Sequence, residues 1–281
     1  MGDRPVIVIG AGRSGTNLLR DIICAFDGFG TWPCDEINYI WRHGNRDAPT
    51  DELRPDDARP EVARFIKRAF DKQRRRQGGG AVVEKTCANS LRVSFVDRVM
   101  PDARFVYIVR DGRDVVASAM QRWTAPLDLP YLARKARFVP RSDLTHYGLR
   151  YVGSRLHRFR SHDRRLSSWG PRISGYEELA AMSSLAEVCA RQWRRCVELA
   201  EEQLAGVNTR RVHRLRYEAL AHDPGAELER LAAFLGEPAP PRDTLPEVSA
   251  LSVGQWASEL SPRDQSLVAE LTSPSLEALG Y

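Results

Sequence analysis

Long apolar runs are missing from this chain. Nowhere do 18 apolar residues follow one another, so no spanning helix is expected. Cysteine is scarce too. Cys24, Cys34, Cys87, Cys189 and Cys196 are odd in number and form no Cys-x-x-Cys pair. That argues against a disulfide framework and a zinc site, and for reduced thiols in the cytoplasm. Little precedes the first apolar run: "MGDRPVIVIG" leaves no room for a signal peptide, and Val6 stands where a myristoylation signal needs Ser or Thr. Acids are scarce in one region. Residues 131–172 hold eleven Lys or Arg against Asp143 and Asp163, about +9 in a chain whose total is +5, which leaves the remainder near −4. A cationic region on a slightly acidic body is expected to meet something anionic.

What is present points to one α/β domain. The 281 residues, 42% of them apolar, suffice for a large single core. Strand-like runs occur at "PVIVIG", "AVVEKT", "RFVYIVR" and "RRVHRLRY". Between them lie helical stripes: Val62, Phe65, Ile66, Ala69 and Phe70; then Leu185, Val188, Cys189, Gln192, Trp193, Cys196 and Leu199; then Leu228, Leu231, Ala232 and Leu235, opened by Asp223-Pro224. Strands alternating with helices predict a mostly parallel sheet covered on both faces. Residues 77–81 and 237–246 read as loops. The basic segment interrupts the alternation and reads as an inserted helical cap within a single domain spanning 1–281.

The chemistry starts at "VIVIGAGRSGTNLL", residues 6–19. A strand runs into a glycine-rich turn and a helix N-terminus, the arrangement that cradles phosphate. Gly10-x-Gly12-x-x-Gly15 matches the dinucleotide fingerprint, but Asp35 and Glu36, the acids at the right distance, follow "DGFGTWPC", which does not read as a strand. Gly10 to Gly15 also matches the start of a nucleoside-triphosphate loop, but Thr16-Asn17 replaces its Lys and its magnesium-binding hydroxyl. The nearest cation is Arg13. A second strand-turn-helix, "RFVYIVRDGRDVVASAM", ends its strand on Arg110 and carries Ser118 eight residues on. A planar cationic fork with a nearby hydroxyl suits phosphate. The plainer reading pairs Arg110 with Asp111 or Asp114.

Taken in order, "GRSGTNLL", "VEKT", "FVYIVRDGRDVVAS", "RYEALAHDP" and "SVGQWASELSP" resemble the sulfotransferases that use 3′-phosphoadenylyl sulfate, over about residues 5–281. The Arg-Ser-Gly in the loop is similar to the carbohydrate and heparan-type members more than to the cytosolic aryl or steroid type. The resemblance implies a P-loop-like three-layer α/β fold. It implies a 5′-phosphosulfate loop at Gly12, Arg13, Ser14, Gly15, Thr16 and Asn17, and a 3′-phosphate site at Arg110 and Ser118. It places Tyr217 near adenine. The family's late Arg-Lys-Gly motif is Ser252-Val253-Gly254 here, without its basic pair. Leu18 stands where an aromatic platform is usual. The donor would be 3′-phosphoadenylyl sulfate, the product adenosine 3′,5′-bisphosphate, and no metal would be required.

The transferred group needs an acceptor hydroxyl and a base. Cys87 follows Lys85-Thr86 where many members hold His. The resemblance to heparan-type members makes Glu84 the base, expected to point from the carboxyl edge of its strand toward the loop. Arg13 and Lys85 are the cations for the leaving oxygen. His43, in "NYIWRHGN", is the runner-up base, and with Trp41 and Trp169 a candidate acceptor contact. The basic segment, with Tyr131, Tyr147, Tyr151, Phe159 and Trp169, reads as a solvated face or as a lid for an anionic or glycan acceptor. Peripheral membrane contact is a further option, and nucleic acid is not the expected partner. The expected acceptor is a carbohydrate, glycolipid or small metabolite. The competing functions are a kinase-like enzyme and a non-catalytic module that binds anions or nucleic acid.

Overall fold

The computed structural model describes residues 4–124, 138–143 and 169–281. Among the described residues, five strands form one parallel sheet in the order β2-β3-β1-β4-β5. They are β1 Val6–Ile9, β2 Phe29–Thr31, β3 Ala81–Lys85, β4 Arg104–Val109 and β5 Val212–Arg216. Four of them are the apolar runs of the sequence. β2 corrects the reading of "DGFGTWPC" as strandless. Its three residues carry no strand pattern of their own and are ordered by pairing with β3, Phe29 opposite Ala81.

The helices are α1 Thr16–Cys24, α2 Asn38–Trp41, α3 Pro60–Arg76, α4 Val93–Val99, α5 Gly112–Thr124, α6 Tyr176–Met182, α7 Leu185–Leu204, α8 Tyr217–His222, α9 Pro224–Leu235, α10 Trp256–Glu259 and α11 Pro262–Ala278. Alternation along the strands splits the core in two. Ile7, Ile9, Val82, Phe105 and Tyr107 pack with Val188, Trp193 and Cys196 of α7. Val6, Val8, Val83, Val106 and Ile108 pack with Leu19 and Ile23 of α1 and Leu228 and Leu231 of α9. Both faces are covered, which is why the strands read as unbroken apolar runs. α9 starts as the sequence predicts: Asp223 Oδ1 accepts from Ala226 N at 3.0 Å, with Pro224 in the first turn.

The strand order changes direction at β1. Loops following β1, β3, β4 and β5 therefore meet at one edge of the sheet, where ligands of such folds bind. No helix among the described residues is long and apolar enough to cross a membrane. Most of the basic segment, including Tyr131, Tyr147, Tyr151 and Phe159, lies outside the described residues, and so does the cap expected there.

Candidate functional site

β1 gives way to a turn, Gly10–Gly15, that leads into α1. Gly10 N donates to Ser90 Oγ at 3.1 Å, which anchors the turn to the 3₁₀ segment Cys87–Leu91. Gly15 has φ 86°, and a Cβ there would stand 2.5 Å from Tyr217 Cδ2. Only glycine meets both demands. Arg13 has φ 73°, the one non-glycine residue among the described residues in the left-handed region. Holding it there costs of order 1–2 kcal/mol. From this turn its side chain crosses to α5, where Nε donates to Ser118 Oγ at 3.0 Å. Ser14 Oγ is buried with no hydrogen-bond partner among the described residues. Thr16 Oγ1 lies 3.6 Å from Cys87 Sγ, and Asn17 is exposed.

Arg110 emerges at the end of β4, buried. Its Nη1 donates to Arg13 O at 3.2 Å and its Nη2 to Ser252 O. The guanidinium lies over the Tyr217 ring, 4.5 Å from the centroid, while Nε has no hydrogen-bond partner among the described residues. The Tyr217 hydroxyl is 2.7 Å from Ser252 Oγ. Asp114 Oδ2 and Oδ1 accept from Gly254 N at 2.8 Å and Trp256 N at 3.0 Å. Arg110 and Asp114 thus hold residues 252–256 against the glycine-rich turn. The structure brings Arg13, Arg110, Ser118, Tyr217, Ser252 and Gly254 together. The plain pairing of Arg110 with Asp114 is loose, at 3.9 Å. No carboxylate among the described residues pairs with Arg13. Burial, then the charges of Arg122 and Arg110, hold its guanidinium below the ordinary range. Cations gathered with so little acid between them attract an anion.

On the other side of the turn, Lys85 ends β3, buried. Its Nζ donates to Glu36 Oε1 at 3.2 Å, and Cys87 N donates to the same oxygen at 3.3 Å. Burial, the largest single effect, would lower the ammonium's pKa; Glu36, Cys87 and Asp35 together outweigh it and the net shift is upward. Glu84 differs from its neighbour because alternate strand residues face opposite ways. It is 1% exposed. Thr86 Oγ1 donates to its Oε1 at 2.5 Å and Asn89 Nδ2 to its Oε2 at 2.8 Å. This corrects the expectation that Glu84 faces the loop: it is turned into the core. Burial pushes its carboxyl up to about 7, against the opposing pull of Thr86, Arg92 and Lys85.

Glu36, which the sequence suggests only as a ribose contact of a dinucleotide fold, lies in this cluster beside Lys85. Its side chain is 27% exposed, far more open than that of Glu84. No local signal marks it: only the pairing of β2 with β3 brings an acid in the loop after β2 beside Lys85 at the end of β3.

The three candidate acceptor contacts separate. Trp41 is 0% exposed and packs edge-on against Phe70 and Phe95 at 5.5 and 6.5 Å, which corrects its reading as an acceptor contact. His43 Nδ1 lies 2.9 Å from Asp143 Oδ2, and its ring lies 3.8 Å from that of Phe65. Trp169 lies against the glycine-rich turn: a Cβ on Gly12 would come within 3.4 Å of its ring.

Among solved structures, sulfotransferase STF9 from Mycobacterium avium is 13% identical with a TM-score of 0.54, over 99% of this chain and 77% of that one. The sulfotransferase from Alicyclobacillus acidocaldarius is 19% identical with a TM-score of 0.51, over 99% and 96%. The sulfotransferase domain from the curacin biosynthetic pathway is 13% identical with a TM-score of 0.52, over 96% and 98%. At such identities the likeness is one of fold. A search of curated proteins gave no match. The model of the Sulfotransferase family matches residues 5–181 and 161–241, well over half of the sequence, and the chain belongs to that family.

Proposed function

We propose that the chain transfers a sulfuryl group from 3′-phosphoadenylyl sulfate to a hydroxyl of a carbohydrate, glycolipid or small metabolite in the cytoplasm. One observation carries this reading beyond the family. The turn 10–15 has Arg13, Arg110 and Ser118 on one side, with Asp114 accepting from Gly254 N and Trp256 N, and the Lys85–Glu36 pair on the other. A donor with two separate phosphate groups and a nearby acceptor suits that layout.

The residues fit such a donor. Ser14 Oγ and Arg110 Nε are buried with no hydrogen-bond partner among the described residues, beside a glycine-rich turn at a helix N-terminus. Bound there, the donor would supply an activated sulfuryl group whose departure leaves charge on a phosphate oxygen. Gly12, Arg13, Ser14, Gly15, Thr16 and Asn17 would hold the 5′ side. Arg110 and Ser118, with Arg13 reaching across, would hold the 3′-phosphate. Lys85 stays protonated through the neutral range and would offset the charge on the leaving oxygen. Tyr217 backs Arg110, and residues 252–254 close over it. Trp169 covers Gly12 and would limit water at the turn.

For the base, the geometry favours Glu36 over Glu84 and His43. Glu36 is partly open and oriented by Lys85 and Cys87 N, whereas both Glu84 oxygens accept from core groups and His43 is engaged with Asp143. A placed carboxylate that takes the acceptor proton contributes about 10²–10⁴-fold.

The test is transfer of labelled sulfate from 3′-phosphoadenylyl sulfate across a panel of glycans, glycolipids and small metabolites. Labelled product with some member is the expected result. A chain that binds the donor and transfers to none of them, or transfers phosphate from ATP instead, would count against the reading.

A further inference from the structure

A polar strip runs through the core beneath the glycine-rich turn. Thr86 Oγ1 donates to Glu84 and accepts from Ile37 N at 3.2 Å, so it couples Glu84 to the residue after Glu36. Asn89 Nδ2 donates to Glu84, while Asn89 Oδ1 accepts from Arg92 Nε at 2.9 Å. Because Arg92 can only donate, Asn89 is fixed in this orientation. Arg92 Nη2 donates to Asn38 Oδ1 at 2.5 Å, and Arg92 Nη1 lies 3.6 Å from Asp51. Asp51 also accepts from Arg42 at 2.8 Å and from Asn38 Nδ2 at 3.2 Å. The strip ends on paired contacts: Asp51 N donates to Arg172 O, and Arg172 N to Asp51 Oδ2, each at 2.8 Å. Arg172 lies three residues beyond Trp169, the ring over Gly12.

Glu84, Arg92, Asp51 and Arg42 are all buried. With Glu84 ionised the four charges cancel. With Glu84 protonated the strip carries one net positive charge, but burial of the carboxylate is the larger effect and favours the protonated form. The charged groups acting on Glu84 are Arg92 at the end of the 3₁₀ segment and Lys85 beside it on β3; Trp41 of α2, Thr86 and Asn89 complete its surroundings. Asp51 and Arg42 lie one step further along.

We infer that Glu84 is a positioning residue. Through Thr86 it sets the Glu36–Ile37 turn against Lys85, and through Asn89 and Arg92 it ties that turn to the chain at Arg172 that carries Trp169. The inference rests on Glu36 being the acceptor-side base.

The experiment uses the full chain and three readouts: amide hydrogen exchange at Ile37 and Arg172, affinity for adenosine 3′,5′-bisphosphate, and turnover against pH. In Glu84→Gln, exchange at Ile37 should rise ~10-fold or more as its bonded support weakens. Bisphosphate affinity should stay within about twofold, and kcat should fall ~10-fold with little change in donor KM. The acidic limb of the wild-type rate profile near pH 7 should disappear. Thr86→Val removes the bridging hydroxyl and leaves the carboxylate, so it serves if Glu84→Gln does not fold. It should speed exchange at Ile37 likewise. Wild-type protection of Ile37 in both variants overturns the inference. So does a Glu84→Gln enzyme with the wild-type kcat and pH profile. A wild-type chain that does not distinguish the bisphosphate from AMP would instead sink the functional reading, and the exchange data would still judge the link from Glu84 to Ile37.

Discussion

Two glutamates at one sheet edge have opposite surroundings, and that difference decides what each can do. Glu36 is partly open beside an ammonium; Glu84 is enclosed. Glu36→Gln keeps the shape and removes the basicity, so turnover should drop by about 10²–10⁴-fold with bisphosphate affinity nearly unchanged. Steady-state kinetics with the acceptor found by sulfate transfer would check this. For Glu84 the sign of its pKa shift gives a separate prediction. The folded chain binds this proton more tightly than the unfolded chain, in which a glutamate titrates near 4.3. The stabilisation from protonated Glu84 is therefore complete below about pH 4 and is lost as pH rises through about 7. That window is worth ~4 kcal/mol. Glu84→Gln cannot titrate, so its stability relative to wild type should improve by about that much between pH 4.5 and 8. Urea unfolding at a series of pH values measures it, and parallel curves would refute it. Ser118 gives a third residue-scale test. Its hydroxyl is shared with Arg13, so Ser118→Ala should weaken adenosine 3′,5′-bisphosphate by roughly tenfold and leave AMP alone.

At the scale of elements, the turn between β1 and α1 is the least tolerant part of the fold. Gly15→Ala would force a left-handed alanine whose Cβ meets the Tyr217 ring at 2.5 Å. We expect a loss of about 2 kcal/mol or more in stability and no measurable bisphosphate binding, by thermal unfolding and calorimetry. The sequence showed this turn, the four central and flanking strands, and the cap of α9, because each has a strong local signature: glycines at fixed spacing, β-branched runs, and Asp-Pro before an apolar stripe. β2 was invisible because its three residues owe their conformation to β3. Glu36 was invisible for the same reason, since only the pairing of β2 with β3 brings it to Lys85. Arg110 and Ser118 were legible from strand-turn-helix spacing, but the hold of Arg110 on Ser252 O links residues 142 apart and leaves no local trace. The orientation of Glu84 was misjudged because a strand end offers two faces, and the neighbouring Lys85 took the one toward Glu36.

For the whole molecule, the proposed function needs two phosphate sites at one sheet edge. The glycine-rich turn follows β1, the proposed 3′ side follows β4, and residues 252–256 are held beside Arg110 and Asp114. The most direct measurement is calorimetric titration of the wild-type chain, without magnesium, with adenosine 3′,5′-bisphosphate and with AMP. The account predicts that the bisphosphate binds at least ~30-fold more tightly, since the 3′-phosphate gains charge-assisted contacts worth roughly 2 kcal/mol or more. At 100 times its dissociation constant, the bisphosphate should also stabilise the fold by about 2.7 kcal/mol. Equal affinity for the two nucleotides, or binding of the bisphosphate only when magnesium is added, would contradict the account.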